Sequence, residues 1–139
     1  MKNIVLIACS SKKKKEKSLV IDIYISTLFK YSYEYAKKLN PDKIFVLSAK
    51  YGLLEMNQVI EPYNETLNTK TKIEKMLWSE KIETQLIEKG IDLKNDNIIF
   101  LSGKNYRENL IKHINNYLIP LKGLSIGNQL KYLKSNIVI

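Results

Sequence analysis

The sequence is poor in the residues that carry several common chemistries. Its 139 residues include one cysteine, one histidine and one tryptophan, and Arg107 is the single arginine. One cysteine and one histidine cannot supply the three or four ligands of a zinc site, so we expect no metal. A single cysteine forms no internal disulfide, which favours a reducing compartment, and we expect a cytoplasmic protein. A single arginine argues against a dedicated reader of DNA sequence.

Long apolar runs are also missing. No stretch approaches the roughly 18 apolar residues of a transmembrane helix. The N-terminus begins as a strand, without the apolar segment of a secretory signal, so we expect no membrane partner. No linker or repeat interrupts the 139 residues, and this length is typical of one domain. We therefore predict a single domain over residues 1–139.

Acidic residues are outnumbered. The chain has 23 lysines and arginines against 14 aspartates and glutamates, which gives a net charge of +9. Such a balance favours polyanions such as nucleic acid, or phosphorylated small molecules. A lysine-rich composition that only reflects an AT-rich genome is an equal alternative.

Three short apolar runs each end in a polar, lysine-bearing segment. The runs at residues 4–8, 45–47 and 98–101 lead into residues 9–12 (CSSK), 48–52 (SAKYG) and 102–106 (SGKNY). Short, nearly continuous apolar runs are typical of strands buried on both faces of a sheet. Because ligands of open α/β sheets bind outside the carboxyl ends of the strands, we expect these segments to share one cleft.

Apolar residues at helical spacing separate the strands. They predict four helices: Asp22–Leu39, Thr71–Glu88, one from Asn105 to Pro120, and Asn128–Lys134. The residues expected to face inward are Ile25, Leu28, Phe29, Ala36 and Leu39 in the first helix and Ile73, Leu77, Trp78 and Ile82 in the second. In the third helix they are Leu110, Ile111, Ile114 and Leu118. Residues 137–139 are predicted as an edge strand or a docked tail. The alternation predicts a three-layer, Rossmann-like α/β domain with a mostly parallel central sheet.

The segment from Glu55 to Lys70 has little periodicity. A loop of this length inside a compact domain is often a functional lid. An added hairpin or short helix is an equal alternative, and the segment could also form a dimer contact.

Lysine and cysteine are the reactive groups at the predicted strand ends. Lys12 and Lys50 each follow a strand near a serine, and crowding by other lysines lowers the pKa of an amine and makes it a usable nucleophile or base. Both could instead face water or bind phosphate. Cys9 lies among lysines that favour its thiolate, although a lone cysteine on a strand is commonly a small buried apolar residue. Lys12, Lys50 and Cys9 are our catalytic candidates.

Serines, glycines and tyrosines complete the predicted site. Backbone N–H groups at a helix start bind anions, and a glycine there lets a ligand approach closely. Tyrosine rings beside lysines suit stacking on a nucleobase. The predicted ligand-binding residues are Ser10, Ser48, Tyr51, Gly52, Tyr63, Ser102, Gly103 and Tyr106.

Several motifs resemble a family of small bacterial and phage domains of unknown function, over residues 3 to about 133. They are Cys9-Ser10-x-Lys12, residues 47–54 (LSAKYGLL), Tyr63, Trp78 and Gly103-x-x-Tyr106. Members look distantly similar to YaaA-type proteins and to the lysine-bearing domain of archaeosine synthase, which acts on a deazaguanine base in tRNA. The resemblance implies a nucleobase context, with Lys12 at the position of that enzyme's lysine and Cys9 as its partner. The Pro-Tyr that follows the enzyme's lysine is absent here, so its amidine-forming activity does not carry over.

These observations predict an enzyme that processes a nucleotide, nucleoside or modified nucleobase without a cofactor. Lys12 or Lys50 would transfer a proton or attack an electrophile. The alternative is a non-catalytic module that binds a nucleotide or single-stranded nucleic acid through the same basic rim. A third possibility is a small interaction protein. The sequence does not predict the oligomeric state.

Overall fold

The frame of the protein is a central five-stranded sheet in which most strands are parallel. The computed structural model describes residues 1–137. Four neighbouring strands of the sheet are parallel and the fifth, β4, runs antiparallel to β3, in the order β4-β3-β1-β6-β7. In chain order the strands are β1 (Asn3–Ala8), β2 (Ser18–Leu19), β3 (Lys43–Ser48), β4 (Gly52–Glu55), β5 (Val59–Ile60), β6 (Asn97–Leu101) and β7 (Asn116–Leu118).

Helices cover both faces of this sheet. They are α1 (Val20–Ile23), α2 (Thr27–Lys38), α3 (Lys72–Glu88), α4 (Lys104–Arg107) and α5 (Ile126–Ile137), with 3-10 turns at Leu67–Thr69 and Ile111–His113. Alternate residues of β1 face opposite layers: Ile4 and Leu6 pack with α3, whereas Val5 and Ile7 pack with α2 and α5. The prediction of a three-layer α/β domain is confirmed. None of the described helices is long and apolar enough to cross a membrane.

The order of the strands reverses at β1. The chain passes from β1 through α2 to β3 on one side, and later through α3 to β6 on the other side of β1. A crevice opens outside the carboxyl ends of the strands at such a point, because the connecting helices leave toward opposite faces. The topology therefore places a crevice above β1 and β6.

The first predicted helix begins later than expected. Ser26 caps α2 by accepting a hydrogen bond from the Phe29 N–H at 3.1 Å, which fixes the start of the helix. The residues before it form β2, the single turn α1 and a backbone bridge between Tyr24 and Lys13. Phe29 and Ala36 are buried as predicted, whereas Ile25 and Leu39 are 43% and 40% exposed. The prediction of Asp22–Leu39 as one helix was wrong because these tertiary pairings outweigh local periodicity.

The helix predicted over Thr71–Glu88 is confirmed as α3, but its orientation was partly wrong. The Thr71 hydroxyl accepts the Glu74 N–H, and the Glu74 carboxylate accepts the Thr71 N–H, which is a capping box. The buried stripe consists of Trp78, Ser79, Ile82 and Leu86. Ile73 and Leu77, which we expected inward, are 65% and 58% exposed. Two apolar stripes compete on this helix, and only the one that meets the sheet is buried.

The long helix predicted from Asn105 to Pro120 was wrong. α4 is a single turn, and residues 116–118 form β7, which pairs in parallel with β6. Leu110 and Ile114 are buried as predicted, but Leu118 is 56% exposed. The free edge of β6 offers backbone hydrogen bonds that outweigh helix propensity. At the C-terminus, α5 extends beyond the predicted Asn128–Lys134 to Ile137, and the rest of the tail predicted over 137–139 lies outside the described residues.

The segment from Glu55 to Lys70 takes the short-helix alternative, and its strand β5 pairs with the distant β2 and forms no hairpin within the segment. β5 pairs antiparallel with β2, and a 3-10 turn follows at Leu67–Thr69. Ile60, Tyr63 and Leu67 from this segment are buried in the core. The segment is therefore a packed wall of the domain.

Gly52, at the turn into β4, should be the glycine least tolerant of a side chain. Its φ is +80°, and a Cβ there would lie 2.5 Å from Gln85 Oε1, which accepts the Leu53 N–H at 2.9 Å. We expect Gly52→Ala to lower the free energy of unfolding by about 2 to 3 kcal/mol, from backbone strain and a weakened hydrogen bond. Urea unfolding measures this change.

Gly123→Ala is the matched control. Gly123 has a similar φ of +78°, but nothing lies within 4 Å of its added Cβ, so only backbone strain of about 1 kcal/mol should appear. Equal losses for both variants would show that the contact with Gln85 contributes nothing.

Candidate functional site

A cleft of about 910 Å³ opens at the carboxyl ends of β1 and β6. Its walls come from the loop after β1, the first turn of α2, the first turn of α5, the loop after β6 and the segment 64–68. This is the crevice that the reversal of strand order creates. Of the predicted site residues, those that line it are Cys9, Ser10, Lys12, Ser102, Gly103 and Tyr106.

The charge of the cleft lining is mostly positive. Lys12, Lys13 and Lys104 line it, and Glu65 is its one carboxylate among the described lining residues. Glu65 faces Lys70 at 3.8 Å, so part of its charge is already compensated. An anionic ligand would therefore find an attractive field here.

The remaining five predicted residues lie outside this cleft, and Ser48 is the centre of their arrangement. Ser48 is fully buried, and its hydroxyl donates to the Tyr63 hydroxyl at 2.8 Å while accepting the Tyr51 N–H at 3.0 Å. Its carbonyl accepts the Trp78 Nε1–H at 2.9 Å. The Tyr63 hydroxyl also lies 2.6 Å from the Tyr24 hydroxyl. Ser48 and Tyr63 thus join four segments of the core.

Burial keeps both tyrosines of this network in their neutral form. Burial raises the pKa of Tyr63 and of Tyr24 well above the ordinary value, because a phenolate is costly away from water. Neither ring is available for stacking on a base, since Tyr63 is 7% exposed and Tyr24 is 1% exposed. We therefore interpret Ser48, Tyr63 and Tyr24 as a structural network behind the cleft.

Lys50, Tyr51 and Gly52 form the turn between β3 and β4. The Lys50 side chain is exposed, and its Nζ lies 5.3 Å from the centroid of the Tyr51 ring. The Tyr51 hydroxyl donates to the Glu61 carbonyl at 3.2 Å. Tyr51 also lines a separate depression of about 480 Å³. Because the antiparallel β4 follows at once, the end of β3 is closed, and this strand end does not open into the cleft above β1 and β6.

Cys9 and Tyr106 meet at the cleft. The Cys9 thiol donates to the Tyr106 hydroxyl at 3.5 Å, and that hydroxyl also accepts the Leu67 N–H at 3.3 Å. The Tyr106 ring packs edge-on against Trp78, with centroids 5.6 Å apart. Burial, and then the charge of Cys9, raise the pKa of Tyr106 to about 12. Tyr106 therefore presents a neutral hydroxyl beside a thiol.

Lys13 is the half-buried lysine of the lining, and it is not among the site residues that the sequence predicted. It is half-buried between the exposed Lys12 and Lys14, and its Nζ lies 4.2 Å from the centroid of the Tyr63 ring. Burial lowers the pKa of Lys13, and the charge of Cys9 opposes that change. A run of lysines predicts that every side chain is exposed to solvent. The backbone bridge between Lys13 and Tyr24 instead turns the Lys13 side chain inward and its two neighbours outward. The alternation of side chains along an extended segment is the one sequence feature that could have predicted the buried position of Lys13.

Ser102 and Gly103 follow β6 at the other side of the cleft. The Ser102 hydroxyl oxygen is buried and has no hydrogen-bond partner among residues 1–137, and its carbonyl accepts the Arg107 Nη1–H at 2.6 Å. Burial lowers the pKa of Arg107. Gly103 precedes α4, which is a single turn, so the helix start that we predicted as an anion site has only a small dipole. The longer helices α2 and α5 also begin at the cleft.

The comparisons with known proteins identify a family but no function. A model of a family of unknown function, DUF6884, matches residues 4–135. A search of curated proteins and a search of solved structures each found no match. The prediction of an uncharacterised family is therefore confirmed, whereas the likeness to YaaA-type proteins and archaeosine synthase stays a prediction.

The hydroxyl of Tyr63 should contribute measurably to stability. Tyr63→Phe removes the partner of the buried Ser48 and Tyr24 hydroxyls, and we expect the free energy of unfolding to fall by about 1 to 3 kcal/mol. Tyr51→Phe is the control, because it removes a hydroxyl that makes one exposed hydrogen bond, and it should cost less than about 0.5 kcal/mol. Urea unfolding of both variants gives the comparison. Similar small losses would contradict the role of Tyr63 in the network.

Proposed function

The chain belongs to the DUF6884 family, and we propose that it is an enzyme that processes a nucleotide, nucleoside or modified nucleobase in the cleft above β1 and β6. One observation carries this proposal: a cationic cleft lies where the strand order reverses. Phosphate-bearing ligands of open α/β sheets bind at such points. The proposal includes a cytoplasmic location, where this class of ligand is abundant.

The size of the cleft supports a ligand of this class. Pockets for small molecules and cofactors usually measure about 300 to 1,000 Å³, and this cleft measures about 910 Å³. A nucleotide or a nucleoside fits such a volume, and a bare inorganic ion would leave most of it empty. The net charge of +9 draws anions toward it from a distance.

The lining supplies polar contacts for both ends of such a ligand. Lys12 and Lys104 are exposed cations at the cleft and suit phosphate oxygens. Ser10 and Ser102 offer hydroxyls for a sugar or a base edge, and Gly103 has no atom within 4 Å of an added Cβ, which leaves room for close approach. The resemblance to YaaA-type proteins and to the archaeosine synthase domain favours a nucleobase in particular.

A non-catalytic module for single-stranded nucleic acid is the second candidate. The observation that favours it is the run of exposed lysines at positions 12, 14, 15 and 17, in which Lys12 lines the cleft and Lys17 lines the separate depression beside Tyr51. Such lysines can contact the phosphates of a nucleic acid independently of its base sequence. The two candidates differ in how binding depends on ligand size and on salt.

A thermal-shift screen tests the proposal. Purified protein is heated with nucleotides, nucleosides, deazaguanine bases and short single-stranded oligonucleotides, at low and at moderate salt. We expect a small molecule of the first three classes at 100 times its dissociation constant to stabilise the fold by about 2.7 kcal/mol. Lys12→Ala should weaken this shift. Lys50→Ala removes the same charge from an exposed site outside the cleft, and the shift should persist.

The other outcomes contradict the proposal in distinct ways. Stabilisation by oligonucleotides alone, declining steeply with salt, would favour the binding module. Equal weakening by Lys12→Ala and Lys50→Ala would mean that general charge, and not the cleft, drives binding. Absence of any shift across the screen would reject a nucleobase-containing ligand.

A further inference from the structure

We propose that Lys13 is the reactive amine of the cleft and that it forms a covalent imine with a ligand that carries an aldehyde or ketone carbonyl. The inference rests on the proposed function, because it assigns the chemistry of the same cleft. It differs from the sequence-based expectation, in which Lys12 or Lys50 carried the reaction.

The backbone separates Lys13 from the other lysines of its loop. The Lys14 N–H donates to the Ile23 carbonyl at 2.9 Å, and the Ile25 N–H donates to the Lys12 carbonyl at 3.1 Å. This short bridge alternates side chains between the two sides of the loop. Lys12 and Lys14 are consequently exposed, whereas Lys13 is half-buried in the cleft lining.

The amine of Lys13 lacks the partners that usually keep a lysine charged. Among residues 1–137 it forms no ion pair within 4.0 Å and no hydrogen bond. The titratable groups around it are the Cys9 thiol directly after β1, the Tyr24 and Tyr63 hydroxyls, and the neighbouring Lys12 and Lys14. Burial favours the neutral amine of Lys13, whereas a Cys9 thiolate and the ring face of Tyr63 favour the ammonium.

Tyr63 also gives the amine a fixed position. The Tyr63 ring is held from behind by its hydrogen bonds to Ser48 and Tyr24 and by edge contact with Tyr51, with centroids 5.4 Å apart. A flexible lysine stem that lies over such a platform loses less freedom when it reacts, which is a requirement of nucleophilic catalysis. Lys12, exposed at the rim, has no comparable support.

The reaction is balanced without an oxidant or a reductant. The lone pair of Nζ attacks the carbonyl carbon and forms the C–N bond. The two protons that the attacking amine loses pass to the carbonyl oxygen, which leaves as water while the C=N bond forms, so amine and carbonyl give imine and water. The Cys9 thiol and the Tyr106 hydroxyl are the neighbouring proton-bearing groups of the lining.

Pyridoxal 5′-phosphate is the probe, because it combines an aldehyde with a phosphate that the basic cleft attracts. The full chain is treated with a limiting amount of the probe at neutral pH, reduced with borohydride and mapped by mass spectrometry after digestion. We expect Lys13 to carry most of the reduced adduct, ahead of Lys12 and Lys14, because of these three lysines it alone is half-buried in the cleft lining. Lys12 and Lys14, exposed in the same loop, serve as internal controls.

Two substitutions complete the design. Lys13→Arg keeps the positive charge but cannot form an imine, so the adduct in the loop should fall to the low level that Lys12 and Lys14 carry. Lys14→Arg, at an exposed position that does not line the cleft, should leave the labelling of Lys13 unchanged. Labelling spread evenly over the loop, or led by Lys12, would overturn the inference, and the mapping of the unsubstituted chain decides this even where a variant fails to fold.

The failure of this inference and the failure of the proposed function give different results. Preferential labelling of Lys13, together with no thermal shift by any nucleobase-containing compound, would support the reactive amine and reject the nucleobase ligand. A nucleotide that stabilises the fold without preferential labelling of Lys13 would overturn the reactive amine and leave the cleft as a binding site. Protection of Lys13 by a stabilising nucleotide would support both.

Discussion

Burial of β1 on both faces is the constraint on which the rest of the molecule depends. Ile4, Val5, Leu6 and Ile7 are at most 1% exposed, and burying such side chains stabilises a fold by about 1.5 to 3 kcal/mol each. Helices must therefore cover both faces, and β1 must have a strand on each side, β3 on one and β6 on the other. The reversal of strand order at β1 follows from that arrangement, and the crevice above β1 and β6 follows from the reversal.

The Ser48 network decides which strand ends stay open. The Ser48 hydroxyl donates to Tyr63 and accepts from the following turn, and its carbonyl accepts from Trp78. The polar groups at the end of β3 are therefore already paired within the protein. The same Tyr63 ring lies beneath Lys13. The same buried network therefore closes the carboxyl end of β3 and supports the Lys13 side chain of the cleft. The stability of the fold and the geometry of the site are coupled through this network.

The parts of this structure that local sequence predicts are those set by local physics. The three parallel strands, α3 with its capping box, and the polar residues after β1 and β6 follow from apolar runs and caps. The helix predicted from Asn105 was wrong because the free edge of β6 captures residues 116–118, a long-range effect. Likewise, Lys50 follows a strand in sequence as Lys12 does, but only tertiary packing closes the end of β3. Lys13 cannot be told from the other lysines of its run until its backbone pairs with Tyr24, further along the chain.

The lysines of the cleft are not equivalent, and their difference orients a ligand. A phosphate held beside Lys13 would stabilise the ammonium and suppress its reactivity as a nucleophile. Lys12 and Lys104 are exposed at the cleft, so binding that phosphate there costs little desolvation free energy. Within the proposed chemistry, the anionic end of the ligand therefore faces the exposed lysines, and its carbonyl end lies toward Lys13, Cys9 and Tyr106. A ligand whose phosphate adjoins its carbonyl would place the negative charge next to Lys13, so the cleft favours a ligand in which a sugar or a ring separates the two groups.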